Sequence, residues 1–154
     1  MQVPLIADIE KVVYGAGKGN LQDATKIGTV LYNRGVSAAV LSVEAIRKAQ
    51  EKYGKGKAMT GEQVRWGLEN LNLDQAKLDA MGFAGVMRPV QTSCTDHMGS
   101  SWVRVHTWDG SKWAFSSDWY QAEDKVLRPM VLEAASKYAA EKSLQRRTAE
   151  QCAQ

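Results

Sequence analysis

At 154 residues the chain is long enough for a compact domain with a real core, and its 44% hydrophobic and 24% charged content argues against intrinsic disorder. Twenty basic residues interleave with seventeen acidic ones for a net charge of +3, so no basic stripe marks a nucleic-acid partner. No apolar run is long enough to span a bilayer, so direct membrane insertion is not expected.

Residues 1–8 carry neither a positive n-region nor a long apolar stretch, so they do not read as a secretory signal peptide. Pro4 suits the first turn of a helix, where its missing N–H is unpaired anyway. Ile6, Ile9 and Val13 recur at helical spacing until Gly15, and a glycine-rich loop follows through Asn20. That loop is not a phosphate loop, because its Gly-Lys is not followed by Ser or Thr. A long helix is expected from about Ile27 to Tyr53, with Gly35 and Ser37 interrupting its first half. Val30, Leu31, Ala38, Leu41, Ala45 and Ala49 form its apolar face. Lys48, Lys52 and Lys55 cluster toward its C-terminal end, where cations complement the helix dipole. Thr60-Gly-Glu-Gln63 is a capping box that starts a third helix carrying Val64, Trp66, Leu68 and Leu71. Asn72 or Asp74 caps a short fourth helix that Gly82 ends.

The period then changes to two. Val90, Thr92 and Cys94 alternate with polar partners, as do Val103, Val105 and Thr107, and Asp109-Gly110 between Trp108 and Trp113 is a hairpin turn signal. These features predict a three-stranded antiparallel group over residues 90–96, 102–108 and 112–116. A long last helix is expected to hold Pro129 in its first turn, and residues 143–154 read as a frayed polar tail. The fold class is α+β, but the apolar helix faces exceed what so small a sheet can cover.

The ordered set Tyr32-Asn-Arg-Gly-Val36, Val43-Glu-Ala-Ile-Arg47, Thr60 to Leu71, Thr92-Ser-Cys-Thr-Asp-His97, Trp108-Asp-Gly-Ser-Lys-Trp113 and Val126-Leu-Arg-Pro-Met130 resembles the C-terminal half of branched-chain amino-acid-type periplasmic solute-binding proteins of ABC importers. The resemblance implies a partial periplasmic-binding-protein-like α/β fold, with residues 1–142 as the C-terminal portion of a two-lobed protein. It implies capture of an amino acid or related small carboxylate, permease subunits as partners, a periplasmic parent and no enzymatic activity. It brings Tyr32, Asn33 and Arg34 toward a ligand as substrate-binding residues. Ser37 and Ala38 depart from the larger residues common in relatives. A stand-alone helical interaction module is the alternative. Held alone, such a fragment is expected to bind ligand poorly and to be marginally stable.

Cys94, Asp96, His97 and His106 are the one cluster with catalytic or metal-ligand chemistry, as a Cys/His hydrolase or a zinc site. Strand parity places His97 opposite Cys94 and Asp96, so the cluster reads better as a turn whose polar groups satisfy backbone. Neither a metal nor a cofactor is expected. The two cysteines, Cys94 and Cys152, fit one disulfide, two buried thiols or partners elsewhere. Trp102, Trp108, Trp113 and Trp119 read as packing aromatics. The basic pair Arg146-Arg147 reads as a solvated helix end.

Overall fold

The computed structural model describes residues 3–145 and 147–153. They divide into two compact units, Met1–Ser100 and Ser101–Gln154. The architecture is α+β, as expected: helices with small antiparallel ribbons, and no parallel strand pair among the described residues.

The first unit begins with α1 (Pro4–Ile9), which has Pro4 at its start. It runs directly into one π-helical turn, Glu10–Tyr14, closed where the Gly15 N–H donates to the Glu10 carbonyl at 2.7 Å. Helix α2 (Val30–Tyr53) comes next and passes through Gly35 without a break. Its buried face differs in part from the expected one. Val30 and Leu31 are both 76% exposed, while Val36, Val40 and Leu41 pack against the core and Ala45 and Ala49 are fully buried. The expected capping box is present at α3 (Gly61–Leu68): the Gln63 N–H donates to Thr60 Oγ1 at 3.3 Å and the Thr60 N–H donates to Gln63 Oε1 at 2.9 Å. Two orphan donors are thereby satisfied at one helix end.

Helices α2 and α3 meet through small residues. Gly67 is buried against the Ala45 backbone, so close that a side chain has no room. Farther along, Tyr53 and Trp66 meet edge to face at 5.7 Å, and Lys52 Nζ sits 4.4 Å from the Trp66 ring centre. The other side of α2 covers a core of Leu73, Leu78 and Phe83, joined by Leu5, Met81 and Val90. Leu78 lies on α4 (Gln75–Ala80), capped by Asp74 Oδ1 accepting from the Lys77 N–H at 2.9 Å. Gly82 ends it at φ +76°, where its carbonyl accepts from the Leu5 N–H at 3.2 Å and its Cα faces the Leu5 backbone.

The expected three-stranded group is not formed. Instead there are three two-stranded ribbons. Strand β1 (Asn72–Leu73) pairs with β2 (Val90–Gln91) in the first unit. In the second, β3 (Trp102–Val103) pairs with β6 (Tyr120–Gln121), and β4 (His106–Trp108) pairs with β5 (Trp113–Phe115). The physical reason lies in two interruptions. The chain folds back on itself at Ser93–Asp96, where each N–H donates to the other's carbonyl at 2.9 and 3.2 Å, so the strand from Val90 stops early. At Arg104–Val105 the backbone turns to side-chain partners, with Val105 N–H donating to Ser117 Oγ at 3.0 Å, which splits residues 102–108 in two.

The Asp109-Gly110 hairpin is as expected. Asp109 Oδ1 accepts from the N–H groups of Ser111 and Lys112, each at 2.9 Å, and from Ser111 Oγ at 2.9 Å. Chiefly the Lys112 bond, then the Ser111 bonds, hold its carboxyl below the ordinary value of 3.8. A carboxyl with a lowered folded pKa stabilises the turn above the ordinary range, and that contribution is lost as pH falls through the folded value. The tilted Trp108–Trp113 pair, 5.7 Å apart, provides the readout. Its near-ultraviolet circular dichroism should persist through pH 3.8 and fade only in stronger acid. In Asp109→Asn that acid step should vanish. An unchanged acid profile in Asp109→Asn would show that another group sets it.

Helix α5 (Asp124–Glu141) starts one turn earlier than expected, with Glu123 accepting from the Lys125 N–H at 3.3 Å. Pro129 is therefore inside the helix rather than in its first turn. The segment expected as a frayed tail contains a short helix, α6 (Ala149–Ala153), headed by Thr148 Oγ1 accepting from the Gln151 N–H at 3.3 Å. Arg146 lies outside the described residues.

Candidate functional site

An open pocket of about 420 Å³ lies in the first unit, within the range of small-molecule sites. Four separate stretches build it: Leu41 of α2, Arg65 to Leu71 at the end of α3, Val90 and Thr92 around β2, and the turn His97–Ser100. Its walls are mostly apolar. Thr92 joins two of these stretches. Its hydroxyl donates to the Leu68 carbonyl and accepts from the Leu71 N–H at 3.3 Å, so it closes the C-terminal end of α3 onto β2. Gly99, at φ +76°, accepts from the Gln91 N–H at 2.9 Å and brings the turn beside Val90.

Glu69 is the buried charge of this pocket. It is the C-cap of α3, its side chain is only 7% exposed, and its Oε1 lies 3.4 Å from His97 Nε2. The His97 side chain is 64% exposed, and it carries a compensating charge only when protonated. The expectation that Asp96 and His97 both serve the turn backbone holds for Asp96, whose Oδ1 accepts from the Met98 N–H at 3.0 Å. His97 reaches to α3 instead. His106 stacks edge-on against Phe115 in the second unit at 4.0 Å. Among the described residues no group of three His, Cys, Asp or Glu side chains is placed to hold a metal ion. Cys94 and Cys152 are both disulfide-bonded.

Tyr32, Asn33 and Arg34 lie near the start of α2, outside the residues lining this pocket. Tyr32 is half-buried, with its hydroxyl 3.5 Å from that of Tyr14 on the π-helical turn. Asn33 Nδ2 donates to the Gly28 carbonyl at 3.0 Å, while its buried Oδ1 has no hydrogen-bond partner. Arg34 is exposed.

Burial, then the Tyr14 hydroxyl, push the Tyr32 phenol from 10.0 up to about 12. A phenol with a raised folded pKa favours the folded state fully below the unfolded value. That contribution is lost as pH rises from about 10 toward 12. An absorbance titration of phenolate should show a late-ionising tyrosine that is missing in Tyr32→Phe. A titration identical in the variant would place the late proton elsewhere.

The tryptophans do not all pack inward. Trp102 and Trp119 are half-buried, but Trp108 and Trp113 are 51% and 67% exposed on the β4–β5 hairpin. Arg104 lies over the Phe115 ring at 3.6 Å beside them.

No family model matches the chain, and no curated protein matches it. It is similar to a solved structure. That structure is of an ABC transporter permease from the Pseudomonas fluorescens group, 43% identical over 93% of this chain, with a TM-score of 0.84. The chain spans 34% of that protein's length. The likeness overturns the resemblance drawn from the ordered segments, since the matching protein is a permease and not a branched-chain amino-acid-type solute-binding component. The periplasmic solute-binding reading falls with it, and the helical interaction module and the hydrolase gain no support. Among the described residues no helix is long and apolar enough to cross a membrane.

Proposed function

We propose that this chain is an extramembranous part of an ABC transporter, folded on the oxidising side of the inner membrane. The observation that carries the reading is the 43% identity over 93% of the chain to an ABC transporter permease. Two further features support it. Among the described residues no helix is long and apolar enough to cross a membrane, and both cysteines are disulfide-bonded, a state that persists in oxidising compartments. The partners are then the other subunits of the transporter. The proposal asks no bond chemistry of this chain and no cofactor.

The test is affinity isolation of the tagged full-length protein after cross-linking in intact cells. Recovery of an ABC ATPase subunit, above that from an unrelated tagged membrane protein, is the expected result. Equal recovery from both would overturn the reading. A phosphatase fusion active only when exported tests the side of the membrane independently, and an inactive fusion would place the chain in the cytoplasm.

A further inference from the structure

We propose that the basic corner at the C-terminal end of α2 docks the first unit onto the surface of an anionic phospholipid bilayer, through Lys55 and Lys57. This goes beyond the transporter reading, and its test contains no transporter subunit, so either can fail without the other.

The surplus positive charge of the chain is gathered in one place. Residues 44–57 hold five basic and two acidic residues, a surplus equal to the whole net charge of +3, and the rest of the chain balances with fifteen of each. Two of the five are neutralised where they stand: Arg47 meets Glu44 and Lys48 meets Glu51, each at 3.0 Å. Lys52 lies over the Trp66 and Tyr53 rings. Lys55 and Lys57 are exposed, and among the described residues neither has a carboxylate within ion-pair distance. A helix end carries only about half a negative charge, so the last carbonyls of α2 do not balance them both. Glu62, the next carboxylate along the chain, is bound to its own N–H and to Thr60 and has Arg65 beside it. The corner is also preorganised. Gly54 ends α2 at φ +126° and Gly56 turns at φ +75°. The Lys57 carbonyl accepts from Gln50 Nε2 at 2.8 Å, and the Lys57 side chain lies across Gly54, so both lysines are carried by a loop tied back to the helix. Lysine is a compact, strongly hydrated charge without arginine's planar fork. That suits the diffuse potential of a headgroup layer more than one fixed phosphate. Stacking on nucleic-acid bases is disfavoured, because Trp66 and Tyr53 already meet each other edge to face beside Lys52.

The test is sedimentation of the 154-residue chain with vesicles of phosphatidylcholine alone and of phosphatidylcholine mixed equally with phosphatidylglycerol. Binding is expected to the mixed vesicles only. It should fall away as salt rises from about 0.1 M to about 1 M, because the screening length shortens from about 10 Å to about 3 Å. Lys55→Gln with Lys57→Gln should lower the partition onto mixed vesicles roughly 25-fold, about fivefold per lysine. Lys137→Gln with Lys142→Gln removes the same charge from exposed sites of the second unit and should change it little. Inorganic phosphate or a single-stranded oligonucleotide, added at equal ionic strength, should not displace the protein. Binding to both vesicles alike or to neither, equal losses in the two double variants, or displacement by either competitor overturns the proposal. If the Lys55/Lys57 variant does not fold, Lys55→Gln alone decides, with its loss of about fivefold.

Discussion

Replacing Gly67 with alanine is expected to destabilise the first unit by about 2–3 kcal/mol, although alanine is the better helix former. In an exposed helix the exchange favours folding by about 1 kcal/mol. At Gly67 a Cβ would sit 2.0 Å from the Ala45 carbonyl oxygen and 2.8 Å from its carbon. Backbone cannot rotate away as a long side chain can, so α2 and α3 must separate. Separation uncovers Ala45 and Ala49, now fully buried, and pulls Trp66 from Tyr53. Gly35 provides the matched control. It lies inside α2 with nothing within 4 Å of its Cβ position. Gly35→Ala should therefore stabilise by about 0.5–1 kcal/mol. Denaturant melts of the two variants should move in opposite directions. Movement in the same direction would mean that the α2–α3 contact yields more easily than its geometry implies.

Phe83→Ala is expected to cost about 3–5 kcal/mol. Phe83 and Leu78 are both 0% exposed and are the largest fully buried side chains among the described residues. The core they form with Leu73 is small, and its outer layer comes from α1, α2 and β2. Truncation leaves a cavity that α1, α2 and β2 must collapse into together, and each is held by other contacts. The fixed points include the Leu5–Gly82 hydrogen bond and the Phe83 N–H donating to Leu78 at 2.9 Å. With typical domain stabilities of about 5–15 kcal/mol, the variant should melt at far lower denaturant. Loss near 1 kcal/mol would mean that the core refills from its half-buried rim.

The range of each interaction decided whether the sequence disclosed it or hid it. The Thr60–Gln63 box and the Asp109-Gly110 turn are closed within four residues and legible from residue type and spacing alone, while the Asp74 cap was one of two candidates with Asn72. The β1–β2 ribbon was not. It has two residues per strand and joins positions 72 and 91, so no alternating run announces it. The pocket was hidden for the same reason: its lining comes from four stretches between Leu41 and Ser100. The one available signal was a charged residue, Glu69, falling between the apolar Leu68 and Leu71 at a helix end. Strand parity failed at His97 because the chain there is a turn. The ordered segments were read as a solute-binding component, whereas the matching structure is a permease. An order of short segments without a decisive motif does not fix a protein's role.

Pro129 divides α5 in a way that bears on how the second unit exchanges its amide protons. Lacking an N–H, it leaves the Lys125 carbonyl without its partner in the helical ladder. No residue of α5 is buried, so slowing of exchange along it comes from the ladder alone. The turn before Pro129 is one rung short and is expected to exchange faster than the turns after it. From Met130 to Glu141 no further proline interrupts the ladder, and those amides are expected to exchange more slowly. In exchange, the single imide nitrogen of Pro129 sets a faster turn before it against a slower helix after it.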